Sequence, residues 1–138
     1  MDTESTLAIK LLESLTDWNF KFSRLAMNFQ NHPEVEKSSS NVEFCKYQTG
    51  TIIEGYVDLE LKNDKSLCWW LEVRWNDLNW FVESSIIVND FEGQNVAHKF
   101  EEKLSTTFDS FLIQLSESIK ELIEYDAFNL PGVMNGNP

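Results

Sequence analysis

The stretch Leu67-Cys68-Trp69-Trp70-Leu71-Glu72-Val73-Arg74-Trp75-Asn76-Asp77-Leu78-Asn79-Trp80-Phe81-Val82 alternates apolar and polar residues on both sides of a polar break. Successive strand side chains point to opposite faces. Leu67, Trp69, Leu71, Val73 and Trp75 therefore share one face, and Cys68, Trp70, Glu72 and Arg74 share the other. Asn76-Asp77-Leu78-Asn79 reads as a hairpin turn, after which residues 80–88 return and end in Ile86-Ile87-Val88. This pattern predicts two antiparallel strands at the centre of the chain, each with unequal faces.

Working outward, residues 51–61 put Val57, Leu59 and Leu61 on one face and Tyr56, Asp58 and Glu60 on the other, with Asn63-Asp64-Lys65 as a turn. A shorter strand is expected over 42–47, turning at Thr49-Gly50. Short links between successive strands imply an antiparallel meander. Residues 33–41, with Ser38-Ser39-Ser40 at their centre, read as a polar linker.

Helices are expected at both ends. Leu7, Leu11, Leu15, Trp18, Phe22, Leu25 and Phe29 recur at spacings of four and three, which puts them on one stripe of a helix over 6–30. Ala8, Leu12 and Ala26 widen the stripe, Thr3 or Ser5 would cap it, and Asn31-His32-Pro33 would end it. After the break at Asn89-Asp90-Phe91-Glu92-Gly93, a second helix is expected over 94–125. Val96, Phe100, Leu104, Phe108, Phe111, Leu115, Leu122 and Ile123 would form its apolar face, with Leu112 and Ile119 beside it. Residues 129–138 read as a flexible tail following one α+β domain over 1–128.

The resulting fold class is a two-layer α+β sandwich: a four-stranded antiparallel meander with the N-terminal and C-terminal helices on one face. The opposite face would carry Tyr56, Asp58, Glu60, Trp70, Glu72 and Arg74. Aromatic rings among exposed charges mark a surface for a protein partner or for a second copy of the chain.

Composition removes several functions. The net charge of −12 leaves no basic footprint for nucleic acid or for an anionic membrane surface. No apolar run is long enough to span a bilayer, and Met1-Asp2-Thr3-Glu4-Ser5-Thr6 lacks the features of a signal peptide, so a cytoplasmic protein is expected. The two cysteines, Cys45 and Cys68, form no disulfide framework. His32 lies at a helix exit and His98 in the expected first turn of the last helix, neither within a catalytic motif. Metal-ligand spacings and glycine-rich phosphate loops are absent from the sequence, so no metal and no cofactor are expected. Asp58 and Glu60 share one side of a strand, a pair that could hold a hard cation but reads better as a solvated acidic face; Glu72 and Glu83 lie on adjacent expected strands near the tryptophans, where a glutamate would have a raised pKa.

The element order, small size and acidity resemble, in architecture, chaperone-like adaptors such as the type III secretion chaperones. Four strands without an intervening helix depart from that family's order, and no residue is carried over from it. The expected function is a non-catalytic acidic protein-binding domain: an adaptor, a chaperone-like protein, or an inhibitor such as an immunity protein covering a basic nuclease. Tyr56, Asp58, Glu60, Trp70, Glu72 and Arg74 would form the contact surface, and a homodimer across the same face is the other use of it. The alternative is a small apolar-ligand-binding protein or enzyme, with a pocket between sheet and helices lined by Trp69, Trp75, Trp80, Phe22 and Phe108.

Overall fold

The computed structural model describes residues 3–45 and 50–133. Its elements run α1 (Thr3–Phe29), β1 (Val35–Phe44), β2 (Thr51–Leu61), β3 (Ser66–Asn76), β4 (Asn79–Asp90), β5 (Gly93–Lys99), β6 (Lys103–Ser105) and α2 (Phe108–Glu124), followed by a short 3-10 helix at Ala127–Asn129. The strands form an antiparallel sheet in the order β1-β2-β3-β4-β5, and β6 also pairs with β4. The α+β sandwich is therefore present, with six strands rather than four. α1 lies over β1 and β2, and α2 lies over β4, β6 and β3.

The central strands follow the alternation in the sequence. Val57, Leu59, Leu61, Leu67, Trp69, Leu71, Val73, Val82 and Ile86 are buried under the helices. Cross-strand pairing puts Val57 opposite Trp69 and Trp69 opposite Ile86, so one row of apolar side chains crosses three strands. The β3–β4 hairpin has a two-residue loop in which Asp77 (φ 50°) and Leu78 (φ 64°) are both left-handed. That geometry matches the twist of the flanking strands, but it places a leucine where asparagine or glycine is preferred, with its side chain in solvent.

Rings fill the space between the layers. Trp18 meets Phe22 edge-on (centroids 5.9 Å apart), Phe29 stacks over Trp69 (5.5 Å) and Phe128 (4.8 Å), and Trp80 stacks on Phe111 (4.4 Å). Trp18 is fully buried against Gly55 of β2. A Cβ at Gly55 would lie 2.6–2.8 Å from three atoms of the indole, closer than carbon atoms pack. Only a residue without a side chain lets the indole lie this close to the strand.

Several expectations at the edges are corrected. Residues 33–41 are not a linker, because Val35–Phe44 is strand β1, with Ser38, Ser39 and Ser40 opposite Leu59, Asp58 and Val57. An edge strand needs only backbone pairing on one side and tolerates polar side chains. The second helix does not begin at residue 94. Asp90 and Gly93 (φ 131°) close a hairpin, the Asp90 carboxylate accepts the Glu92 N–H (2.8 Å), and β5 pairs along β4. Val96, Phe100 and Leu104 recur every four residues, yet Val96 and Leu104 are exposed residues of edge strands. Helix α2 starts at Phe108, where the Thr107 hydroxyl accepts the Ser110 N–H (3.2 Å) as a side-chain N-cap.

Helix α1 begins at Thr3, so Ser5 lies within the first turn rather than capping it. Its apolar stripe is buried only in part: Trp18, Phe22 and Ala26 are enclosed, whereas Leu7, Ala8 and Leu12 are exposed. Of the segment read as a tail, the part up to Val133 is docked. Val133 is buried in the core, and its carbonyl accepts from Asn63 Nδ2 (3.0 Å). Residues 46 and 47 of the expected first strand, Thr49 of its turn and residues 134–138 of the tail lie outside the described residues.

Gly55→Ala is expected to cost about 1–3 kcal/mol, the range for overpacking a dense core. In a Trp18→Leu background the same change should lose most of that cost. A urea-denaturation double-mutant cycle measures the coupling, and additive effects would show that the indole does not require the glycine.

Candidate functional site

Neither helix covers the second face of the sheet. Antiparallel register brings its side chains into rows. Tyr56 stands opposite Trp70, Asp58 opposite Cys68, and Glu60 opposite Ser66. Trp70 is in turn opposite Ser85, Cys68 opposite Ile87, and Arg74 opposite Phe81. All six residues singled out from the sequence therefore lie on one face; Tyr56, Asp58, Trp70, Glu72 and Arg74 are half-buried and Glu60 is exposed.

They divide into two groups. Tyr56, Asp58 and Trp70 line a cavity of about 330 Å³ together with Glu54, Cys68 and Ile87. The buried Ile87 and half-buried Cys68 give it an apolar floor. Glu60 borders a neighbouring depression that also contains Glu36, Asp64, Lys65, Asp90 and Phe91, and both depressions reach Asn89.

Glu72 and Arg74 belong to an internal ionic network. Arg74 Nη2 contacts Glu83 Oε2 (3.0 Å) and Glu102, and Arg74 Nε lies 3.8 Å from Glu72 Oε1. Lys99 Nζ pairs with Glu83 Oε1 (2.8 Å). A register shift between Thr51 and Ile53 accompanies the pairing of Thr51 with Arg74, and the Thr51 hydroxyl donates to Glu72 Oε2 (3.2 Å). The Arg74 guanidinium also lies 5.7 Å from the centroid of the Phe81 ring. These contacts occupy Arg74 within the chain.

The network neutralises one end of a row that the sequence did not reveal. Glu43, Glu54, Glu72 and Glu83 stand directly opposite one another across β1, β2, β3 and β4. Like charges in that register repel. Lys99 is the main influence holding Glu83 below the ordinary carboxylate range, with Arg74 adding to it. Burial and the facing Glu83 raise Glu72, against the pull of Thr51 and Arg74. Glu43 and Glu54 have no ion pair among the described residues. Finding this row requires the β1–β2 pairing, which a serine run read as a linker conceals.

Burial, and then Glu60, raises Asp58, which is half-buried rather than part of a solvated acidic face. Burial, and then Asp58, pushes the Cys68 thiol up to about 12, so it stays protonated at neutral pH and is not a nucleophile. Cys45 lies beyond β1, with its N–H on the Ile52 carbonyl (2.8 Å), whereas Cys68 pairs with Asp58 near the other end of β2; both are free thiols.

The two histidines stack on rings. His32 packs on Phe128 (4.7 Å) and its Nδ1 accepts the Glu34 N–H (3.1 Å). His98 is in strand β5, not in a helix, and stacks on Tyr125 (4.5 Å). The rings expected to line a pocket between sheet and helices are packed or peripheral: Phe22 and Trp69 are buried, Trp80 lies between Trp75 and Phe111, and Trp75 is exposed at the sheet end. A separate apolar patch, including Ile9, Leu12 and Phe20, is exposed on the outward side of α1. Among the described residues, no helix is long and apolar enough to cross a membrane, and no three His, Cys, Asp or Glu side chains are grouped to hold a metal ion.

Two measurements test these electrostatics. Asp58→Asn is expected to raise the melting temperature at pH 7, because a raised pKa means that ionisation costs the folded state. The advantage should fade as the pH falls through the folded pKa of Asp58 toward its unfolded value near 4. Arg74→Gln should cost about 1 kcal/mol at pH 7, since Glu72 and Glu83 then face each other without their shared cation. Their folded pKa values rise in that variant, so the deficit should shrink as falling pH protonates both carboxyls in variant and parent alike. Melting curves at pH 7 and pH 3.5 measure both effects, and pH-independent differences would contradict both assignments.

Proposed function

We propose that the chain is a non-catalytic acidic protein-binding domain, of adaptor, chaperone-like or inhibitor type, whose uncovered sheet face contacts a basic partner. No protein-family profile matches this chain, and neither a curated protein nor a solved structure shows significant similarity to it. The observation that supports this reading most directly is the cavity flanked by Tyr56 and Trp70, with Glu54 and Asp58 in its wall. Binding energy concentrates where aromatic side chains line a partly desolvated pocket, and surrounding charge steers a partner of opposite sign. The net charge of −12 gives the whole molecule that bias. The same reading assigns the protein to the cytoplasm, where two unpaired cysteines remain reduced.

Tyr56→Ala and Trp70→Ala are expected to preserve the far-ultraviolet circular-dichroism spectrum. Each should weaken capture of a protein partner from the native host by more than about 2 kcal/mol, roughly thirtyfold. Light scattering in the same experiment distinguishes a second copy of this chain from a different protein. Loss of the folded spectrum in either variant would make these rings core residues and would reject the face as a contact surface.

A further inference from the structure

The uncovered face divides its charges unequally. Around Glu83, Arg74 and Lys99 supply the positive charge, and Thr51 donates to Glu72. Around the cavity, Glu54 and Asp58 have neither an ion pair nor a hydrogen bond from any described side chain. These two carboxylates share the cavity with two rings, Tyr56 and Trp70, and with an apolar floor of Cys68 and Ile87. A hydrophobic ligand would leave the carboxylates desolvated and unpaired, while an anion would be repelled. The cavity suits a group that is apolar along its length and cationic at its end.

We propose that this cavity receives an arginine side chain presented by a basic protein partner. The proposal rests on the protein-binding reading above and gives it a chemical specificity. The three methylenes of arginine lie over Cys68 and Ile87. The guanidinium reaches Tyr56 and Trp70, where it stacks on a ring face, and forks toward Asp58 and Glu54. Lysine matches less well, because its compact, strongly hydrated ammonium neither stacks nor forks. An arginine inserted here replaces the missing counter-charge of Asp58, just as Arg74 does for Glu72 and Glu83 within the chain.

The test is an NMR titration of the full chain with a blocked pentapeptide carrying one arginine between glycines. Its citrulline and lysine counterparts serve as controls. The five tryptophan indole N–H signals are separate probes, and Trp70→Phe assigns the relevant one by its disappearance. The arginine peptide is expected to shift the Trp70 signal with a dissociation constant on the order of 1 mM, appropriate to a single side chain. Citrulline, which has the same shape without the charge, should bind at least about tenfold more weakly, and lysine severalfold more weakly. Asp58→Asn should weaken arginine binding by about tenfold while remaining at least as stable as the parent, so the loss cannot come from unfolding. Glu117→Gln, on the exposed side of α2, should leave the affinity unchanged.

Equal affinity for arginine and citrulline overturns the proposal. So does equal affinity for lysine, or a Trp70 signal that stays fixed up to about 20 mM peptide. If host proteins are still captured through Tyr56 and Trp70 while the arginine peptide has no effect, this inference fails and the protein-binding reading stands. If the peptide binds as expected but no protein is captured, the broader reading fails instead.

Discussion

The contact between Trp18 and Gly55 is the constraint around which both layers are arranged. The indole occupies the space that a side chain at Gly55 would fill, so α1 approaches the sheet closely at the middle of β2. The approach leaves the indole nitrogen buried without a hydrogen-bond partner among the described residues, a cost that its packing must offset. Gly55 also borders the cavity on the other side of the sheet. Its neighbours Glu54 and Tyr56 both point outward, as strand alternation requires, and both line that cavity. The inner packing thus fixes the backbone from which two cavity residues project.

Electrostatics on the outer face follow from register rather than from composition. Four glutamates spread along the sequence become one row because each strand pairs with the next in a register that aligns them. Arg74 and Lys99 gather at the β3–β4 end of the row and, among the described residues, leave the β1–β2 end without an ion pair. Screening by salt reduces the repulsion between exposed carboxylates but acts less on half-buried ones. The direction of the shift at Asp58 has the same origin: burial beside rings disfavours its charge, and Glu60 adds to the effect.

The sequence revealed the centre of the sheet more clearly than its rim. Strands β2, β3 and β4 each bury one face, so their apolar residues alternate and their faces can be assigned residue by residue. The placement of Tyr56 and Trp70 on one face was accessible for that reason, though not their register. Strand β1 carries Ser38-Ser39-Ser40 and β5 is almost wholly exposed, so neither shows a period of two; pairing with an existing strand forms them. The four-residue spacing of Val96, Phe100 and Leu104 fits a helix equally well, and only the Thr107 cap shows where α2 begins. The helical reading of this region hid Lys99, which pairs with Glu83, and Glu102, which helps to hold Arg74 within the chain. The exposure of Leu12 was hidden for a different reason: helical period gives a stripe, but not how far along the helix the sheet extends.

The acidity of this chain therefore has two physical meanings. Charges on exposed helix positions, such as Glu117 and Glu124, face solvent and contribute to solubility whatever their exact positions. Asp58 and Glu54 differ because they are half-buried beside rings with no ion pair among the described residues, and burial raises Asp58. Solubility alone does not account for carboxylates in such a position, since exposed ones would serve it at lower cost to the fold. The cationic partner proposed above would offset that cost on binding by supplying a counter-charge and covering the rings together. On the proposed reading, the free energy lost in the unbound fold would reappear as affinity for the complementary group, and the cavity rather than the face as a whole would set the specificity.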